Sequence, residues 1–220
     1  MKNIIIIGAS SNAKLAKFYF ETDSEYKVVA FAVNKKYIQS ERFEGLPLVP
    51  LETIDETYPP ETNETFVAVG YTNMNAIREE LYNKVKSMGY SCPNYVSSKC
   101  NFLTEEPIGD NNLILEDNTI QPFVKIGSNN VFWSGNHIGH DVNIGNHNFI
   151  TSHVVISGFT QILNNCFLGV NSTFRDGITI RNKTLVGAGA VIMSNTEEES
   201  VLLAPKPFKM DKKSSELKIS

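Results

Sequence analysis

All four histidines of the chain, His137, His140, His147 and His153, fall within 17 residues. Histidine is the side chain whose ordinary pKa suits proton removal near neutrality, and a carboxylate beside it fixes its tautomer and stabilises its cation. His140 is followed directly by Asp141, so this stretch can supply a general base with an acid partner. Adjacent residues on a straight strand point to opposite faces, so the two can meet only if a corner bends the chain between them. The three cysteines, Cys92, Cys100 and Cys166, form an odd set with no paired spacing. That pattern argues against a disulfide framework or a thiolate metal site, and for a reducing compartment.

The element that must position these histidines is legible as a repeat. Counting forward in sixes from Ile108 gives Ile114, Ile120, Ile126, Phe132, Ile138, Ile144, Ile150, Ile156, Ile162, Leu168, Phe174, Ile180, Val186 and Ile192. In a chain that is 41% hydrophobic, an unbroken run of this length excludes chance. It is the hexapeptide repeat of a parallel β-helix, whereas a β-sandwich would show irregular spacing. Every third repeat carries a polar corner: Ile108-Gly-Asp-Asn, Ile126-Gly-Ser-Asn, Ile144-Gly-Asn-His, Ile162-Leu-Asn-Asn and Ile180-Arg-Asn-Lys. Asn tolerates left-handed backbone, which suits a tight corner. One such corner per 18 residues implies three sides per turn, a triangular prism of about five coils. Position 140 plus 18 is 158, so His140 should stack against Gly158 one coil on, about 4.8 Å away. A base next to an open backbone N–H is the pair that acyl transfer needs.

Residues 1 to about 90 have a different rhythm. Ile4–Ile7 reads as an aliphatic strand, Gly8–Ala13 as a turn and Lys14–Glu21 as a helix. Val28–Val33 and Phe66–Val69 read as further strands. Met74–Lys86 reads as a helix with Met74, Ile77, Leu81 and Val85 on its apolar face and Arg78 on the other. Strands alternating with helices predict a small parallel sheet covered on both faces. Gly-x-Gly-x-x-Gly is absent after the first strand, yet a turn at a helix N-terminus can still offer N–H groups to a phosphate. Three segments are expected: an α/β unit over 1–95, the prism over 96–208 and a loose, charged tail over 209–220.

A formal net charge of -4 with interspersed signs argues against a nucleic-acid partner. The four-residue apolar run near the start is too short for a secretory signal, and no stretch approaches the ~18 apolar residues of a membrane span. A soluble, cytoplasmic protein with no membrane insertion is the expectation. His147, at a polar corner, is expected to be a solvated turn residue. His137 and His153 could be surface ladder residues or pocket contributors. Trp133, next to the in-pointing Phe132, is expected to face outward, toward an interface or a ligand.

A hexapeptide β-helix preceded by a small α/β unit resembles the bacterial sugar acyltransferases of the NeuD and PglD type. The motifs that carry the resemblance are Ile7-Gly8-Ala9-Ser10-Ser11, Val69-Gly70 with Arg78, Ile138-Gly139-His140-Asp141, Cys166-Phe167-Leu168-Gly169-Val170-Asn171, Val186-Gly187-Ala188-Gly189-Ala190-Val191 and Ala204-Pro205-Lys206. The resemblance implies a left-handed β-helix and a homotrimer with acetyl-CoA in the groove between neighbouring subunits. It implies His140 as general base, Asp141 orienting it, and the Gly158 amide receiving the thioester oxygen. It further implies that Gly158, Asn171, Gly187, Ala188, Pro205 and Lys206 border CoA, and that Gly8, Ser10, Ser11, Asn34, Gly70 and Arg78 contact a nucleotide-linked sugar. Ala32-Val33-Asn34-Lys35 stands where members that bind UDP-sugars carry an acidic pair, so the base recognised need not be uridine.

No metal is expected. Prism-shaped carbonic anhydrases take their zinc ligands from histidines about two coils apart, whereas His137 and His153 are only 16 residues apart. The expected reaction is N-acetylation of an amino sugar by direct attack, without a covalent enzyme intermediate, in surface glycan synthesis. O-acetylation of a sugar hydroxyl, as in sialic acid or polysaccharide modification, would use the same base and groove. A non-catalytic trimeric scaffold or sugar-binding module is the reading from another class, and it would not bind CoA.

Overall fold

The computed structural model describes residues 2–217, and residue 1 and residues 218–220 of the expected tail lie outside the described residues. The N-terminal unit opens with β1 (Lys2–Ile7), α1 (Ser11–Thr22) and β2 (Tyr26–Val33). A hairpin of β3 (Arg42–Phe43) and β4 (Leu46–Pro50) follows, then the one-turn α2 (Ile54–Thr57), β5 (Glu64–Val67) and α3 (Ala76–Ser87). The sheet order is β3-β4-β2-β1-β5. The expected parallel sheet is in fact mixed, because β3 runs antiparallel to β4. Glu44 and Gly45, both at positive φ, make the two-residue turn that such a hairpin requires.

The aliphatic run of β1 is continuous because both of its faces are covered. Ile4 and Ile6 pack with Ala13, Ala16 and Phe20 of α1. Ile5 and Ile7 pack with Leu81 and Val85 of α3. The buried face of α3 is Arg78, Leu81 and Val85, while Ile77 is exposed and Met74 precedes the helix. The helix is thus rotated by one residue from the apolar stripe, and a cation occupies the buried side.

From Tyr95–Val96 onward the chain winds as a triangular prism, a left-handed parallel β-helix of two-residue strands stacked 18 residues apart, except that Val201–Leu202 pairs with Leu185–Val186 after 16. The first face runs from Tyr95–Val96 through Leu113–Ile114, Val131–Phe132, Phe149–Ile150, Phe167–Leu168 and Leu185–Val186 to Val201–Leu202. The second runs from Asn101–Phe102 through Thr119–Ile120, His137–Ile138, Val155–Ile156 and Thr173–Phe174 to Val191–Ile192. The third comprises Lys125–Ile126, Asn143–Ile144, Gln161–Ile162 and Thr179–Ile180. The sixth-residue positions from Ile114 to Ile192 form one buried core, against which Ile108 packs half-buried.

All three edges, and not one in three, carry a left-handed residue. It recurs at every sixth position from Asn111 to Gly189, three residues after each in-pointing side chain. Asparagine has a second task at the edge between third and first faces. There the Asn112, Asn130 and Asn148 side chains accept the N–H of the residue one coil on, at 2.8–2.9 Å. Each such buried bond contributes about 1 kcal/mol and locks the coils in register.

Candidate active site

His140 and Asp141 lie at the edge between the second and third faces. Asp141 is the left-handed residue of its corner, with φ 58°, and that bend turns two neighbouring side chains to one side. His140 Nδ1 and Asp141 Oδ2 are 2.9 Å apart, with the side chains 51% and 42% exposed. The backbone is fixed from the preceding coil, where Gln121 Oε1 accepts the His140 N–H at 2.9 Å and the Pro122 carbonyl accepts that of Asp141. Nδ1 is engaged by the carboxylate, and Nε2 has no hydrogen-bond partner among the described residues.

Gly158 sits on the next coil beneath this ring. A Cβ built on Gly158 would lie 3.1 Å from His140 Nε2, so the absence of a side chain lets the imidazole and this backbone share one spot. Among the described residues the Gly158 N–H has no acceptor. The equivalent N–H groups of Ser128, Asn146 and Asn164 on the neighbouring edge are each taken by an Asn side chain one coil on. Gly139 keeps the approach clear, since a Cβ there would come within 2.7 Å of the Gly158 nitrogen.

Asn171, Gly187, Ala188, Pro205 and Lys206 gather on a different edge, between the first and second faces. Asn171 is that edge's left-handed residue, and Ala188, Pro205 and Lys206 are exposed. A Cβ on Gly187 would meet Leu203 Cδ2 at 2.8 Å, so the glycine admits the chain segment leading to Pro205 and Lys206.

A cavity of about 480 Å³ opens in the N-terminal unit, lined by Gly8, Ser10, Asn34, Lys36, Tyr37 and Thr72 among others. Gly8, at φ 131° with its N–H bonded to the Ala32 carbonyl, turns the chain from β1 into the start of α1. Ser10 is the N-cap but makes no capping bond, and the first turn of α1 holds no acidic residue. Asn34 Oδ1 accepts from Lys84 Nζ at 3.3 Å. Lys36 and Tyr37, on the turn Lys35–Tyr37 directly after Asn34, also line the cavity and were not singled out in the sequence.

Three residues expected at the sugar are not among those lining the cavity. Ser11, the first residue of α1, is exposed and lies outside the cavity lining. Gly70 gives its carbonyl to Arg78 and packs under Asn12. Arg78 is wholly buried, and its guanidinium donates to the carbonyls of Gly70, Asn129, His147 and Asn148 and to Asn75 Oδ1. These bonds dock α3 on the prism through a side chain with no accessible surface. Burial lowers its pKa to about 9, which leaves it cationic at neutral pH.

His147 is likewise withdrawn from solvent, with its side chain 12% exposed under α3. Its Nδ1 meets Asn129 Nδ2 at 2.8 Å, and its Nε2 lies 3.6 Å from Glu79. Burial holds its pKa below the ordinary value, a tendency Glu79 opposes and Arg78 reinforces. Trp133 points outward from the prism as expected, but it lies half-buried beneath the N-terminal unit beside Phe149. His137 is exposed on the second face, and His153 covers Gly135 at the edge between first and second faces.

No protein-family model matches the chain. Its structure is similar to that of the acetyltransferase domain of PglB from Neisseria gonorrhoeae, with a TM-score of 0.81 at 19% identity, covering 93% of this chain and 97% of that one. PerB from Caulobacter crescentus, solved in complex with CoA and GDP-perosamine, gives a TM-score of 0.81 at 21% identity, covering 93% and 95%. WeeI from Acinetobacter baumannii gives 0.77 at 20% identity, covering 93% and 97%. At these identities the likeness is one of architecture: over nearly its whole length the chain has the fold of bacterial acetyltransferases built from a small α/β unit and a left-handed β-helix.

Proposed function

We propose that the chain is an acetyl-CoA-dependent acetyltransferase that N-acetylates an amino sugar carried on a nucleotide. The observation that carries this reading is the His140–Asp141 pair at 2.9 Å, placed over the unpartnered N–H of Gly158. In the proposed reaction the neutral amine attacks the thioester carbonyl carbon. The oxygen gains negative charge as the C–N bond forms, and the Gly158 N–H donates to it. His140 Nε2 takes the proton from the amine nitrogen, while Asp141 stabilises the resulting imidazolium through Nδ1. Collapse breaks the C–S bond and releases CoA, and His140 returns its proton to the thiolate or to water.

The cavity at the α1 N-terminus supports the nucleotide part. Gly8, Ser10, Asn34 and Lys36 line it together with Glu80, and the N–H groups of a helix whose first turn holds no acid suit a pyrophosphate. Tyr37, 61% exposed beside this cavity, would offer a face to the base. PerB binds CoA and GDP-perosamine on the same architecture, which favours the amine over the hydroxyl as acceptor. Asn171, Gly187, Ala188, Pro205 and Lys206 would border CoA along their shared edge.

We read the active form as a homotrimer. Within one chain the N-terminal unit covers the edge between third and first faces, whereas His140 stands on another edge. A neighbouring copy that brings its own edge alongside would join base, CoA groove and acceptor cavity. Cytoplasmic surface-glycan synthesis is the setting that a nucleotide sugar and acetyl-CoA imply.

The test mixes purified protein with acetyl-CoA and a panel of nucleotide-linked amino sugars, and follows release of the CoA thiol. Release with one member, with its mass increased by one acetyl group, is the expected result. Silence across the panel, with CoA still raising the thermal midpoint, would replace the amine by a hydroxyl acceptor. No CoA binding at all would leave a non-catalytic prism.

A further inference from the structure

The left-handed corner positions of the prism are filled almost everywhere by Asn, Asp, Gly or another polar residue. Phe123 and Phe159 are the exceptions, at φ 67° and 61°. A bulky hydrocarbon side chain in this backbone region is a conformational outlier, and such outliers cluster where function requires them. Neither recovers the strain by burial, since the two rings are 62% and 57% exposed. Both lie on the same edge as His140, one coil before and one coil after Asp141, giving the order Phe123, Asp141, Phe159 down the prism. Phe159 is tied to the base: its N–H donates to the His140 carbonyl at 3.1 Å, and its ring stands edge-on to the imidazole at 4.9 Å.

We propose that Phe123 and Phe159 are specificity-determining residues, forming an aromatic platform on which the acceptor sugar lays a C–H face so that its amine points at His140 Nε2. This rests on the proposed acetyl transfer. The geometry favours the sugar as occupant because the Phe159 ring flanks the base itself, where the nucleophile must stand. Apart from Gly158, which meets the thioester oxygen, the residues assigned to CoA lie on another edge. Sugar rings present C–H groups on one face and hydroxyls around the rim, and the positive hydrogens suit the negative face of an aromatic ring. An apolar platform beside the base also lowers local water content, which favours an amine arriving uncharged.

The test uses the full-length protein and the acceptor identified in the panel. Phe159→Asn and Phe123→Asn put a residue at home in left-handed backbone into each corner, so both variants should fold with a thermal midpoint at or above that of the parent. F159N should raise the acceptor KM by about 10-fold or more, in the range of a lost pocket contact, and F123N less. The KM for acetyl-CoA should not change, and F159Y, which keeps the ring, should stay close to the parent. An unchanged acceptor KM in F159N overturns the proposal. So does a parallel rise in the acetyl-CoA KM, which would assign the rings to the thioester side. A smaller particle for either variant by light scattering overturns it by assigning the rings to contacts between copies. A parent protein active on no amino sugar removes the N-acetylation reading and this one together, which separates that failure from the others.

Discussion

Two histidines seven residues apart each face a carboxylate, yet the structure puts them to opposite uses. His140 pairs with Asp141 at an open edge and, among the described residues, leaves Nε2 without a partner beside the equally unpartnered N–H of Gly158. His147 lies under α3 with both ring nitrogens occupied, one by Asn129 and the other toward Glu79. A histidine beside an acid is therefore not in itself a site. What separates them is the free ring nitrogen and the unpaired donor waiting next to it.

The sharpest way to break this comparison is to remove each ring in turn. His140→Ala should lower turnover by roughly 10²–10⁴ while leaving the thermal midpoint near that of the parent. His147→Gln should do the reverse, keeping turnover and losing stability. Steady-state rates and calorimetry on both variants decide it, and equal turnover in H140A and the parent would remove His140 from the chemistry.

Next in size is the guanidinium that holds the buried histidine's surroundings together. Arg78→Met leaves the carbonyls of Asn129, His147 and Asn148 facing an apolar side chain. Leaving several buried carbonyls without their donor costs about 3 kcal/mol or more in total. Denaturant unfolding should show that loss, with turnover per folded molecule preserved. A direct role in acceptor binding would instead show as a raised KM.

The smallest effect concerns pH. The folded-state pKa of His147 is depressed, chiefly by burial, so the unfolded chain binds the proton more readily. The contribution of the neutral ring is present above the unfolded value of about 6.5 and is lost as pH falls through the lower folded value. Acidification below about pH 6.5 should lower the thermal midpoint of the parent more than that of H147Q. Parallel curves would mean that His147 does not titrate in this window.

The prism was legible in the sequence because its core repeats every six residues with one side chain per face. Nothing in that count depends on distant parts of the chain. The stacking of His140 on Gly158 followed from the same period. Arg78 was placed on the solvent face of α3 because its partners are backbone carbonyls 51 to 70 residues away, and a carbonyl leaves no mark on residue type. His147 and Trp133 misled in the same manner, since what covers each belongs to the N-terminal unit. The left-handed corners were seen on one edge only, because Asn advertises that conformation and Phe123 and Phe159 do not.

The unbroken register has an evolutionary consequence. Deleting one residue between Ile114 and Ile192 would turn every later in-pointing side chain out of the core, or push the slack into a corner that holds a single left-handed residue. Deleting eighteen would remove one coil and restore every contact above and below. Gain and loss of sequence in this half of the molecule should therefore come in quanta of one coil, as in other stacked-repeat proteins, while the β3–β4 hairpin is free to vary residue by residue.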